Sequence, residues 1–267
     1  MATVAPSYDD NRMSVGRVFQ RAFSALAQNP VVIIGLAFVV GALPGLVMSF
    51  LLVKMGFFSP AGLQSGAFSF RTLMGATFVS TLVGIVIAAL VQGALTRAVV
   101  TASEGRRATF GESIATGLRV ILPLIGLSIV FAVGVAIGFI LLFVPGVVLL
   151  LMWAVAVPAL VVERVGIFDA LRRSAELTKG ARWKILGLFL VLLLIYWVLE
   201  AILGVVGLKM YGAATAATGL TVANIIGSVI LGTVFNTLWG TIQPSLYVEL
   251  RQAKEGDSAE RLAEVFA

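Results

Sequence analysis

Glu200, in the stretch "IYWVLEAILG", is the side chain with the clearest chemical potential, because it is a carboxylate inside a long apolar segment. A carboxylate in a bilayer is costly to leave unpaired, so such residues often bind a ligand or move a proton. Glu200 could instead tie its helix to a neighbour through Asn224, or pair with Arg71 or Lys209. Because no histidine, aspartate or lysine lies at the same depth, Glu200 alone makes a poor proton relay.

Side-chain amides form a second group of candidate residues within the apolar segments. They stand among small residues at a spacing of four, and they are Gln92, Asn224, Asn236 and Gln243. Small residues let membrane helices approach closely, and amides hydrogen-bond between them. The same amides could also line a polar translocation path, and the sequence leaves both readings open.

Basic residues are concentrated in the segment 157–184, between two apolar runs. Asp169 and Glu176 stand three or four residues from the arginines, which predicts a helix with intrahelical ion pairs, and Gly180 ends it. This helix either lies on the membrane surface or holds a phosphate-bearing headgroup. The candidate contacts for such a phosphate are Arg172, Arg173, Lys179 and Arg182.

The residue inventory excludes much enzymology, because the chain has no cysteine and no histidine. Thiolate metal sites, Cys nucleophiles, Ser–His pairs and imidazole relays are therefore ruled out. Paired carboxylates are also missing from the apolar segments. We expect no catalytic residues, no metal site, no cofactor and no enzymatic activity.

The composition predicts an all-α, polytopic membrane protein. Of the 267 residues, 60% are hydrophobic and 12% are charged, far from the balance of a soluble domain. Apolar runs of the ~20 residues that cross a bilayer lie near 30–53, 73–96, 185–207 and 220–247. The run 120–162 is long enough for two crossings with a break near Phe143–Gly146, so six transmembrane helices are expected.

The basic residues also predict the orientation and the partners of the chain. All 19 Lys and Arg except Lys54, Arg71 and Lys209 fall on the side of the bilayer that holds both termini, which the positive-inside rule places in the cytoplasm. The net charge of +6 thus favours anionic lipid headgroups at the cytoplasmic face over nucleic acid. We expect one membrane domain over 1–267: an amphipathic cytoplasmic N-terminus (1–29), a six-helix bundle (30–251) and a cytoplasmic tail (252–267). The first apolar run should remain as a membrane anchor.

A threefold pattern runs through the chain. Related stretches end the even-numbered spans, "QGALTRAVV", "VPALVVER" and "QPSLYVELR", and a polar or amphipathic segment precedes each odd-numbered span. We therefore predict three repeats of an amphipathic helix followed by a transmembrane hairpin, at about 14–100, 108–164 and 166–251. Chance recurrence of small residues is the alternative.

In the segment 157–184 a proline and an acidic residue leave one apolar run, and a pattern of alanine, arginine–serine, leucine, glycine and tryptophan leads into the next. These residues are Pro158, Glu163, Ala170, Arg173, Ser174, Leu177, Gly180 and Trp183. With the apolar run that follows it, the segment resembles the membrane domain attached to some bacterial glycerophosphoryl diester phosphodiesterases. The resemblance implies a membrane module of the bacterial inner membrane, concerned with lipids or glycerol phosphate compounds. Because the catalytic barrel of those enzymes uses histidines and a metal, the resemblance implies no activity and no catalytic residues here.

Three functions fit these patterns. The first is a non-enzymatic inner-membrane protein that engages lipids or lipid-derived amphiphiles, with basic helices for headgroups and the bundle interior for tails. The second is a small-solute transporter or channel that uses Glu200 and the amides. The third is a membrane anchor or assembly factor for a soluble partner.

The orientation is testable with one cysteine, because the natural chain has none. A cysteine introduced at Leu63, between the first two predicted spans, should react with a membrane-impermeant thiol reagent in intact cells. A cysteine introduced at Ala253 is the control and should react only after lysis. Labelling of position 63 only after lysis would reverse the predicted topology.

Overall fold

The computed structural model describes residues 13–47, 70–218 and 222–266, with side chains except at 70–73, 76, 207–218, 222–225, 228 and 257–266. Short connections apart, this part of the chain is helical, which confirms the all-α fold class. We label its α-helices α1 (Val15–Gln28), α2 (Pro30–Leu36), α3 (Phe70–Ser103), α4 (Phe110–Arg119), α5 (Ile121–Leu141), α6 (Phe143–Met152), α7 (Ala156–Glu163), α8 (Ile167–Thr178), α9 (Arg182–Thr218) and α10 (Val222–Phe266).

Five segments of the described chain are long and apolar enough to cross a membrane. They are Pro30–Val47, Thr77–Ser103, Ile121–Leu141, Phe143–Glu163 and Arg182–Val206. They coincide with the first five predicted spans, so the multi-pass architecture is confirmed. The sixth predicted span, 220–247, begins outside the described residues and continues into α10, whose described side chains include polar ones such as Asn236, Thr241 and Gln243. The count of six stays a prediction.

The predicted break of the long apolar run is confirmed at Leu142, whose backbone is extended between α5 and α6. Pro145 falls in the first turn of α6, where its missing N–H would have had no helical partner. Two glycines let the helices of this hairpin touch. A Cβ added at Gly138 would lie 2.9 Å from the Cα of Gly146.

A second break, which the sequence did not reveal, separates α6 from α7 at residues 153–155. Pro158 would clash with the preceding turn of a continuous helix. The backbone groups freed by the break are bonded by α8: the Ser174 hydroxyl donates to the Met152 carbonyl (2.8 Å) and accepts from the Val155 N–H (3.2 Å). Ser174 is fully buried, so α8 docks on protein by this face.

The C-terminal segment predicted as a separate tail continues α10. The helix runs through Pro244 to Phe266 without interruption. Near the proline, the Thr241 and Ser245 hydroxyls each donate to the carbonyl four residues earlier, both at 2.7 Å. Bonds of this kind tie a hydroxyl to its own helix, and neither reaches the Gly240 carbonyl, which Pro244 leaves without a helical donor.

Three short amphipathic helices, α1, α4 and α8, pack in a regular order. Helix α1 contacts α10, α4 contacts α3, and α8 contacts α7. Helices α3, α7 and α10 also contact one another. Each amphipathic helix thus packs on the last helix of the preceding predicted hairpin, with α1 closing the circle on α10. The threefold repeat itself stays a prediction.

The contact between α3 and α4 depends on two glycines. A Cβ at Gly93 would lie 3.0 Å from the Cα of Gly117, and a Cβ at Gly117 would lie 2.9 Å from the Leu90 carbonyl oxygen. Both of these atoms belong to the backbone, so they cannot move aside as the end of a flexible side chain can.

We expect Gly117→Ala to lower the unfolding temperature of the purified protein, because the added methyl meets the α3 backbone. Gly111→Ala, in the same helix and with open space around its Cβ, is the matched control. It should be neutral or stabilising, since Ala is favoured over Gly in helices by about 0.5–1 kcal/mol. Equal unfolding temperatures for the two variants would contradict this packing.

Candidate functional site

Two constellations contain most of the charged and polar side chains that could do chemistry. The first lies at what we call the basic end, the end of the bundle formed by α1, α4, α8 and residues 249–256 of α10. The second is a cavity between α9 and α10.

At the basic end, Glu249 is a buried carboxylate, only 2% exposed. Arg17 donates from Nε to Oε1 at 2.6 Å, and Arg21 donates from Nε to Oε2 at 3.2 Å. The backbone N–H of Ser14 also donates to Oε1, at 3.2 Å. A single carboxylate thus binds both arginines and the N-terminus of α1.

A second carboxylate, Glu163, ends α7 and connects α8 to α10. Arg173 donates from Nε to Glu163 Oε1 at 2.8 Å, and the Tyr247 hydroxyl donates to the same oxygen at 2.8 Å. Arg173 also pairs with Glu255, which accepts from Arg251 Nε at 2.7 Å. The hydrogen bond to Glu163 raises the pKa of Arg173. Burial would raise the pKa of Glu255, but hydrogen bonds from the two arginines hold it below its usual value.

The predicted headgroup contacts therefore fall into different environments. Arg173 is engaged by two carboxylates of the protein, whereas Arg172 is 80% exposed and pairs with Glu176 at 3.2 Å. Lys179 is exposed immediately after α8. Arg182 begins α9, and its Nε is buried with no hydrogen-bond partner among the described residues. Arg172 and Lys179 are thus the most accessible cations of the four.

The cavity between α9 and α10 has a volume of about 700 Å³ and extends to Leu150 of α6. It brings together two predicted residues, Glu200 of α9 and Asn236 of α10. The Tyr196 hydroxyl donates to Glu200 Oε1 at 3.0 Å. Leu193 lines the cavity and is also 50% exposed, so the cavity reaches the apolar outer surface of the bundle.

Aromatic rings form most of one cavity wall. Phe189 and Trp239 have ring centroids 5.3 Å apart, and Tyr196 meets Phe235 edge-on at 4.9 Å. Phe235 and Trp239 stack at 6.2 Å. Along α9 these rings run from Phe189 to Tyr196, a rise of ~10 Å, and Glu200 lies about one turn beyond them. The arrangement suits an extended apolar chain with a polar group at one end.

Gln92 and Gln243 are not among the described residues that line this cavity. Gln92 and Gln243 each have a buried Oε1 without a hydrogen-bond partner in the described part of the chain. The Asn236 amide lies against Gly41, whose added Cβ would be 3.0 Å from Nδ2. Gly41 belongs to a π-helix, Ala37–Ala42, that continues α2, and such irregularities are frequent at functional sites. The side chain of Asn224 lies outside the described residues.

Comparison with known proteins identifies the family of the chain. Residues 124–261 match the family model described as the membrane domain of glycerophosphoryl diester phosphodiesterase. The chain belongs to this family. The resemblance seen in the sequence is thereby confirmed, and the match includes Glu163, Arg173, Glu249 and the whole cavity wall of α9 and α10. No solved structure matches the chain.

In this membrane domain, sequence reasoning missed the two carboxylates of the basic end. Glu163 and Glu249 lie at the ends of apolar segments, where charges are common and easily read as solvated. A signal was present, because "PALVVE" and "PSLYVE" both place a glutamate five residues after a proline. Their arginine partners lie in other helices, and only the tertiary structure shows which arginine meets which glutamate.

We expect Glu249→Ala to destabilise the membrane domain by about 3 kcal/mol, as for removal of one partner of a buried ion pair. Glu176→Ala removes an equivalent Arg–Glu pair that is exposed, with a side chain 55% accessible, and should cost no more than about 0.5 kcal/mol. Unfolding of the two purified variants, followed in parallel by heat or denaturant, measures the difference. Equal stabilities would show that Glu249 is not a structural anchor.

Proposed function

We propose that this membrane domain is a non-enzymatic protein of the bacterial inner membrane that binds a lipid or lipid-derived amphiphile. The observation that carries the proposal is the 700 Å³ cavity between α9 and α10, with its aromatic wall and one polar end. Ligand sites are typically concave, mostly apolar and furnished with few polar groups. A chain-bearing amphiphile matches these features better than a small polar solute does.

Access from the bilayer supports the same function. Leu193 lines the cavity and is half exposed, and its neighbours on the outer surface of α9, Leu194 and Trp197, are 64% and 63% exposed. In a membrane these side chains face acyl chains. A ligand could therefore enter laterally without passing through water.

The basic end supports a cytoplasmic orientation and contact with anionic headgroups. Arg172, Lys179 and Trp183 are exposed there, and Trp183 is 85% accessible. Tryptophan and cations of this kind occupy the interface of a bilayer. In the proposed orientation both termini lie in the cytoplasm, as the distribution of Lys and Arg predicts.

The cavity can be filled to test the proposed function. A Cβ at Gly232 meets nothing within 4 Å, and Gly232 lines the cavity, so Gly232→Leu should occupy the ligand volume while the helices remain packed. Gly187→Leu is the matched control: Gly187 lies on exposed α9 surface, outside the cavity lining, and its Cβ also meets nothing.

Native mass spectrometry of the protein extracted with its lipids measures the outcome. The natural chain and Gly187→Leu should retain a bound lipid or amphiphile that Gly232→Leu loses, at equal unfolding temperatures. Identical retention by all three proteins would overturn the proposed function.

A further inference from the structure

The chemistry of the cavity specifies the headgroup of its ligand further. Among the described residues that line the cavity, Glu200 is the one that carries a charge. Among the described side chains, only the Tyr196 hydroxyl bonds its carboxylate. A carboxylate in apolar surroundings needs a counter-charge or further hydrogen bonds. Within the described part of the chain this requirement is unmet, and Glu200 lines the cavity, where a ligand would be. The side chains of Arg71, Lys209 and Asn224 lie outside the described residues.

The depth of Glu200 places this requirement near one face of the bilayer. Glu200 lies 18 residues after the start of α9 at Arg182, which is ~27 Å along the helix axis. The hydrocarbon core of a bilayer is ~30 Å thick, and the next charged residue in the sequence, Lys209, follows nine residues later. The carboxylate is therefore close to the headgroup region opposite the basic end, while Phe189 and Trp239 lie nearer the bilayer centre.

The aromatic rings near Glu200 favour a cation. Tyr196 and Phe235 meet edge to face beside the carboxylate, and the faces of such rings attract ammonium groups. Aromatic rings together with a carboxylate are the usual means of recognising a quaternary ammonium. An anionic headgroup would be repelled by Glu200, and an uncharged one would leave its charge uncompensated.

We propose that the cavity binds an amphiphile whose headgroup is an ammonium. The ammonium lies against the Glu200 carboxylate and the rings of Tyr196 and Phe235, and the chain extends along Phe189 and Trp239 toward the bilayer centre. The proposal rests on the proposed function, since it requires that the cavity hold an amphiphile at all.

Three probes that carry the same brominated alkyl chain test the headgroup. One ends in trimethylammonium, one in a hydroxyl and one in a carboxylate. Each is titrated into the purified full-length protein in a maltoside detergent, and quenching of tryptophan fluorescence by bromine reports binding. Trp239 lines the cavity, so the part of the quenching lost in Gly232→Leu, but kept in Gly187→Leu, reports the cavity alone.

The ammonium probe should bind the cavity about tenfold or more tightly than the other two, the ratio that ~1.4 kcal/mol of extra interaction gives. Glu200→Gln keeps the shape of the site and should abolish this preference while cavity quenching by the hydroxyl probe remains. Equal affinities of the three probes, or a preference unchanged in Glu200→Gln, would overturn the ammonium assignment and leave the amphiphile function standing. Absence of cavity quenching by every probe would overturn both.

Discussion

The architecture depends on carboxylates that are desolvated at the basic end of the bundle. Transfer of Glu249 out of water is expensive, and the cost is offset because Arg17, Arg21 and a backbone N–H converge on the same two oxygens. Charge-assisted bonds of this kind are directional. They therefore fix which face of α1 meets α10, whereas apolar contacts alone would permit sliding. Met13 completes the junction, because its carbonyl accepts from Lys184 at 2.9 Å and so links the start of α1 to α9.

The same constraint positions the cavity, although the nearest cavity residue on α10, Trp239, lies ~15 Å from Glu249 along the helix. Helix α10 is held at its basic end by Glu249 and, through Tyr247, by Glu163 of α7. Helix α9 begins at Arg182, shortly after α8 ends at Thr178. Arg173 holds α8 to α7 through its ion pair with Glu163. These anchored ends constrain how α9 and α10 lie relative to each other, and with it the shape of the cavity between them. The rest of the interface is apolar and specifies the geometry less strongly.

Much of the fold could be predicted from the sequence because hydrophobic segments of bilayer length leave few alternatives. The spans, the break near Phe143 and the amphipathic character of α1 and α8 follow from local patterns. The break at residues 153–155 could not be foreseen, since Ser174, which bonds its free backbone groups, is about twenty residues away in the chain. In the candidate site, Glu200 and Asn236 were predicted, but Tyr196 and Phe235 look like ordinary apolar residues until α10 is placed beside α9. Arg173 was predicted to face headgroups, and the structure instead engages it with two carboxylates that belong to other helices.

The circular order of contacts bears on the predicted repeat. Each amphipathic helix has two buried residues that stand four positions apart. In α1 and α8 an arginine immediately precedes the second of these residues. The matched residues are Val18 and Ala22 in α1, Ser113 and Gly117 in α4, and Ala170 and Ser174 in α8. Arg21 meets Glu249 and Arg173 meets Glu163, and both glutamates follow a proline by five residues.

At the junction of α4 with α3, neither residue of that ion pair is present. The position of the arginine is Thr116, and the position of the glutamate, five residues after Gly93, is Ala98. Loss of one partner alone would leave an uncompensated charge near a buried contact. At this junction the helices are joined instead by the close approach of Gly93 to Gly117. A paired replacement at matching places is what divergence from a common unit under this electrostatic constraint would produce. Chance recurrence of small residues gives no reason for the two changes to coincide, so the ion pairs favour the repeat more strongly than the sequence pattern from which it was predicted.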